Sequence, residues 1–143
     1  MYGVLNDRNI YYLARISDKA KRFLTRELRR HGLQGLAPSD GDIMVALFKR
    51  RQLTMKELSG IIDRDKSTLT GLVDKLARLG YLEKKTDPAD RRVQIVSLTE
   101  KGGRLIPDFI TISLKLQEMF SRALSAHEKD TLVNLLKKVH DAW

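Results

Sequence analysis

The sequence predicts a mainly α-helical fold that carries one small β-hairpin. Apolar residues recur at three- and four-residue steps over most of the chain, and the period changes to alternation only between Tyr81 and Leu98. Start and stop signals for helices separate the periodic stretches. At 143 residues the chain is about one domain's worth, so residues 1–143 are read as a single unit.

The elements follow in order. From Ile10 to His31, Leu13, Ile16, Ala20, Phe23, Leu24 and Leu28 make one apolar face, and Arg and Lys fill the other. Gly32 stands where a left-handed cap is expected, and a loop runs to Pro38. Pro38, Ser39 and Asp40 open a second helix that turns Ile43, Met44, Leu47 and Phe48 inward and ends near Lys49, Arg50 and Arg51. Thr54 and Glu57 have the spacing of a capping box, followed by Leu58, Ile61 and Ile62. After Asp63 and Arg64, Asp65 starts a further helix with Leu69, Leu72, Val73, Leu76 and Leu79 inward, and Gly80 stops it. Two short helices therefore meet at a tight turn.

Tyr81 to Thr86 and Val93 to Leu98 are β-favourable, and the segment between them contains Asp87-Pro88. Pro fixes φ there, and the Asp side chain can accept from the backbone two residues on, so a hairpin with a basic tip is expected. Thr99 begins another helix with Leu105, Phe109, Ile112, Leu116 and Phe120 on one face; Pro107 requires either a later start or a kink. A second capping box, Ser125 to Glu128, opens the last helix, with Leu132, Leu135, Leu136, Val139 and Trp143 on one side.

Composition narrows the function. Hydrophobic residues at 42% with only 3 Pro exclude a disordered chain, and the absence of Cys excludes disulfides, thiolate metal sites and cysteine nucleophiles. No apolar run approaches a membrane span and no signal-peptide pattern is present, so a soluble cytoplasmic protein without a membrane partner is expected. Residues 1–48 hold 8 Lys/Arg against 5 Asp/Glu, residues 49–104 hold 14 against 8, and residues 105–143 hold 5 against 5. The basic excess peaks mid-chain, where an acidic partner would meet it.

Helix, helix, tight turn, helix and hairpin is the order of a winged helix-turn-helix, whose second turn-flanking helix enters the DNA major groove. The stretch from Asp65 to Arg78 offers Lys66, Ser67, Thr68, Thr70, Lys75 and Arg78 for phosphates and base edges. An ordinary solvated helix face is the bland alternative.

These residues also carry a family resemblance. Asp65-Lys66-Ser67-Thr68-Leu69-Thr70-Gly71-Leu72-Val73-Asp74-Lys75-Leu76, Gly80-Tyr81-Leu82, Asp87-Pro88-Ala89-Asp90-Arg91-Arg92 and Leu98-Thr99-Glu100-Lys101-Gly102 resemble the MarR family of bacterial transcriptional regulators. Gly71 departs from it, because many relatives carry a contacting side chain there.

The resemblance implies a winged lobe at about 38–99 and dimerisation helices at about 8–32 and 100–143. It implies a homodimer on double-stranded DNA, a pseudo-palindromic operator, and repression rather than activation. The neutral C-terminal quarter, rich in Leu, Ile and Phe, agrees with a dimer, since a monomer would expose too much apolar surface. Lys66, Ser67, Thr68, Thr70 and Lys75 are then the major-groove and phosphate residues. Arg91 and Arg92 are the minor-groove wing arginines, and Asp74 resembles the aspartate that pairs with one of them. A small aromatic, phenolic or anionic effector is implied where the long helices meet the lobe, with Tyr12, Arg15, Met44 and Phe48 as the local residues.

An enzyme is not expected. His31, His127 and His140 are scattered, and no catalytic or metal-binding spacing occurs, so no cofactor or metal is assigned. The rival reading is a basic winged-helix module that binds protein without specific DNA readout.

Overall fold

The computed structural model describes residues 8–143. Its elements are α1 (Arg8–Arg30), α2 (Pro38–Arg50), β1 (Gln52–Thr54), α3 (Met55–Ile62), α4 (Lys66–Arg78), β2 (Leu82–Thr86), β3 (Gln94–Leu98), α5 (Glu100–Gly103), α6 (Ile106–Ala123) and α7 (Ala126–His140). The fold is mainly helical with a small antiparallel sheet, as the sequence predicts. That sheet has three strands in the order β1-β3-β2, so the hairpin carries a third strand that the periodicity did not announce. Leu53 lies opposite Val96, and Lys84 flanks Val96 on the other side. Three residues are too short a run to display a two-residue period.

The core sits within the winged lobe. Ile43, Met44 and Leu47 of α2, Leu58 of α3 and Leu69, Val73 and Leu76 of α4 are fully buried together with Val96. Leu28 of α1 and Ile106, Phe109 and Ile112 of α6 extend that core toward the long helices. Gly41 admits this packing: a Cβ there would meet the Phe109 ring at 3.0 Å.

Local chemistry sets the boundaries. Thr54 Oγ1 accepts from the Glu57 amide at 3.1 Å and Glu57 Oε2 accepts from the Thr54 amide at 2.9 Å, which closes the expected capping box. Ser125 and Glu128 do the same for α7. Pro107 produces no kink, because α6 begins at Ile106 and a residue without an N–H is tolerated in the first turn.

Thr99 and Gly102 lock the base of the hairpin to the end of α4. Thr99 Oγ1 donates to the Gly80 carbonyl at 2.5 Å and accepts from the Gly102 amide at 3.1 Å. A Cβ on Gly102 would lie 2.1 Å from the Tyr81 carbonyl oxygen, so only glycine permits that approach. Polar pairs join α1 and the residue after it to α6: Lys115 Nζ reaches buried Glu27 at 2.8 Å, and His31 Nδ1 pairs with Asp108 at 2.8 Å.

Candidate nucleic-acid interface

The N-terminus of α4 is built by Asp65. Its Oδ1 accepts from the Thr68 amide at 2.8 Å, and its Oδ2 accepts from the Thr68 hydroxyl at 2.8 Å. These bonds, the backbone one first, hold the Asp65 carboxyl below its ordinary range. The Thr70 hydroxyl donates to the Lys66 carbonyl at 2.7 Å. Lys66, Ser67, Thr68 and Thr70 are all exposed, and Thr68 and Thr70 have their hydroxyls engaged locally.

Lys66, Thr70 and Arg92 come together around one open cleft of about 790 Å³ between the start of α3, the start of α4 and the hairpin. Lys56, Lys84 and Gln94 line the same cleft, and sequence reasoning missed all three. Lys56 follows the Thr54 cap by two residues, so the basic position beside a helix start was a usable signal. The shape and charge of this cleft suit a phosphate backbone.

The wing turn is held from within. The Ala89 amide donates to Asp87 Oδ1 at 2.9 Å, as expected of Asp before Pro, and the Asp87 amide donates to the Val93 carbonyl at 2.9 Å. Arg92 is splinted on Asp90 by two side-chain bonds of 3.1 Å, and these hold the Asp90 carboxyl below its ordinary range. Arg91 is exposed at the tip and forms no ion pair among the described residues. It is the wing cation free to meet a ligand.

Two expected contacts are corrected. Asp74 receives Lys84 of β2 and not a wing arginine, because α4 packs on β2 at the base of the hairpin while the arginines lie toward its tip. Lys75 does not share the face of Lys66. Nine residues span two and a half helical turns, which points the two side chains in opposite directions. Lys75 Nζ instead donates to Asp40 Oδ2, which also accepts from the Ala37 amide at 2.8 Å. The Asp40 side chain is fully buried, and its Oδ1 has no partner among the described residues. Lys75 thus ties α4 to the start of α2.

The four residues expected at an effector site lie on two helices, Tyr12 and Arg15 on α1 and Met44 and Phe48 on α2. Met44 is fully buried with Ile43 and Leu47 in the lobe core, and Phe48 is exposed. Tyr12 and Arg15 lie on the exposed first half of α1, where Tyr12 packs edge-on against Tyr11. An open groove of about 580 Å³ lies between α1, α2, α3 and α6, lined by Leu24, Gly41, Asp42, Val45, Lys49 and Phe120 among others. Gly41, Val45 and Lys49 occupy the side of α2 opposite Ile43 and Leu47. Among the described residues no cluster of His, Asp or Glu could hold a metal ion, and no helix is long and apolar enough to cross a membrane.

Comparison with known proteins agrees with this architecture. Residues 36–93 match the model of the MarR family. The HTH-type transcriptional regulator YkoM of Bacillus subtilis is 29% identical over 132 residues, covering 91% of this chain and 83% of YkoM. The S. aureus MepR–DNA complex superposes with a TM-score of 0.86 at 21% identity, covering 94% of this chain and 98% of that one. Bordetella bronchiseptica BpsR, whose DNA binding is regulated by 6-hydroxynicotinic acid, gives 0.85 at 20% identity with 96% of each chain covered. The winged lobe, residues 36–93, is thus matched as a MarR-family domain, and the chain as a whole is similar in fold and sequence to helix-turn-helix transcriptional regulators.

Proposed function

We propose that the protein is a homodimeric, cytoplasmic repressor that reads a pseudo-palindromic duplex operator and is retuned by a small aromatic anion. The observation that carries the reading is the basic cleft between α3, α4 and the hairpin, beside an exposed wing tip whose Arg91 has no ion pair among the described residues. Lys66, Ser67 and Thr70 serve the major groove and its phosphates, Arg91 enters the minor groove, and Arg92 holds the turn that presents Arg91. Asp74, through Lys84, orients the wing against α4.

The dimer is supported by α7, which buries no residue in its own chain while Val133, Leu135, Leu136, Val139 and Trp143 are exposed. A second copy covering them accounts for an apolar surface that a lone chain would leave in water. The groove between α1, α2, α3 and α6 is the effector site of this reading. Its walls are mostly apolar, and Lys49 supplies a cation for a carboxylate or phenolate; Asp42 also lines it, and burial holds that carboxyl above its ordinary range, which lessens its repulsion of an anion. BpsR, similar in fold, responds to such a molecule.

Selection from random duplex DNA at about physiological salt tests the DNA reading. An enriched inverted repeat with half-sites about one helical turn apart is the expected result. A pool with no motif would overturn it in favour of a basic module that contacts protein. Thermal shift with 6-hydroxynicotinate and benzoate tests the groove: binding raises Tm, and Lys49→Gln lessens the rise.

A further inference from the structure

One surface of the molecule is strongly charged and lies outside the cleft. On α1, Arg8, Arg15, Lys19, Arg22, Arg26 and Arg29 are all exposed. At 3.6 residues per turn they fall on a single stripe roughly 80° wide, and at about 1.5 Å per residue it runs about 32 Å. From Arg15 onward the spacing is four, three, four, three, so each cation has another as its nearest neighbour along the helix. Such like-charge neighbours weaken a helix.

The chain supplies almost nothing to offset them. None of the six forms an ion pair among the described residues, and Arg26 only overlies the Phe23 ring at 5.7 Å. Asp18 is exposed at one edge of the stripe, three residues after Arg15 and four before Arg22. Glu27, the other acid of α1, is buried and already held by Lys115 and Arg30. On α7, by contrast, Glu128, Lys129 and Asp130 alternate in sign.

We propose that the α1 stripe is a second nucleic-acid surface, which holds the phosphate backbone of duplex DNA without reading its sequence. This rests on the DNA-binding reading above and lengthens the contact beyond the winged lobe. From Arg15 onward the stripe is a row of evenly spaced cations, which matches a repeating phosphodiester; the exposed Tyr11 and Tyr12 lie beside only its first turns, whereas a protein partner would need anchors along its length. An anionic bilayer is a poorer match, because Ile10, Leu13, Leu24 and Leu28 lie on the opposite side of the helix and cannot insert beside the cations. The same opposition keeps the stripe open in a dimer, where a second copy would cover the apolar side.

The test compares the wild type with Lys19→Gln/Arg22→Gln/Arg29→Gln, with Arg91→Ala, and with a charge-matched control, Arg122→Gln/Lys137→Gln/Lys138→Gln. Binding to a 40-base-pair operator and to a scrambled duplex of equal length is measured from low to high salt. Each lost phosphate contact makes the plot of log affinity against log salt shallower by about 0.9. The stripe variant is expected to flatten that slope by about two or more, and to bind both duplexes at least about tenfold more weakly at physiological salt. Its preference for operator over scramble stays within about twofold. Arg91→Ala shows the converse: the preference falls, and the slope falls by less.

A stripe variant that changes no more than the charge-matched control overturns the proposal, as does one that loses the preference. Stripe-dependent binding to vesicles of anionic lipid, with the DNA slope unchanged, assigns the surface to membrane and overturns it too. A wild type with no preference fails the operator reading instead, and the slopes still decide the stripe. Shortening the operator to about 20 base pairs separates the two sources of phosphate: loss of the effect places the stripe on flanking DNA, and its persistence with bridging of two duplexes places it on a second segment. The single Arg22→Gln variant repeats the slope measurement where the triple variant does not fold.

Discussion

The winged lobe and the long helices are built from similar fractions of Leu and Ile but end in opposite states. In the lobe, Ile43, Met44, Leu47, Leu58, Leu69 and Leu76 are fully buried, and the starts of α3 and α4 are capped. On the first half of α1, the outer half of α6 and all of α7, Ile10, Leu13, Leu114, Met119, Leu135 and Val139 remain exposed. The same amphipathic pattern thus describes a closed core in one region and an unfilled contact in the other. Periodicity states which face is apolar; it does not state which molecule covers it.

Substitutions can separate the two regions. The largest expected effect is Leu47→Ala, which empties space in the closed core and costs about 2–5 kcal/mol of unfolding free energy by chemical denaturation. Leu135→Asp with Val139→Asp should leave the lobe folded by circular dichroism while raising the dimer dissociation constant more than tenfold in sedimentation. A comparable loss of unfolding free energy in that variant would break the distinction.

Gly102→Ala places a Cβ against the Tyr81 carbonyl and should cost about 3 kcal/mol, with the wing loosened in amide exchange. Asp40→Asn weakens the tie between α2 and α4 and should cost about 1–3 kcal/mol. It also removes a negative charge, so weaker operator binding would separate misplacement of α4 from electrostatics, which favours tighter binding.

Smaller effects sharpen the picture. Gly71 is exposed in mid-helix with open space around it, so Gly71→Ala should stabilise the lobe by roughly 0.5–1 kcal/mol. Acid tests the join between the regions. Glu27 is held below its ordinary value of 4.5, first by its bond from Lys115. A carboxyl whose folded pKa is depressed stabilises the fold above its unfolded value, and that contribution is lost as pH falls through the folded one. Tm should therefore decline below about pH 4.5, and Glu27→Gln should flatten that part of the profile.

Legibility in the sequence follows the range of the interaction. The capping pairs Thr54 with Glu57 and Ser125 with Glu128, the Asp87 turn and the positive φ of Gly80 lie within a few residues of one another and were readable directly. The order of helices and hairpin was readable for the same reason. The partner of Lys75 was not, since Asp40 is 35 residues away, although counting turns from Lys66 already placed Lys75 on another face. Nor was the Asp74 partner, which depends on how α4 crosses β2, or the role of β1, whose three residues become a strand only beside β3.

By itself the sequence determined the order of helices and hairpin, the capping boxes, the basic mid-chain charge and the family that the lobe resembles, because each rests on neighbours in the chain or on periodic side-chain direction. Only the tertiary structure decided that Asp40 takes Lys75, that Glu27 takes Lys115 across 88 residues, that Met44 is core and Lys49 borders the groove. It also decided that the six stripe cations of α1 form no ion pair among the described residues. Those outcomes depend on which helix faces are brought together, and packing between distant segments is not encoded in the local order of residues.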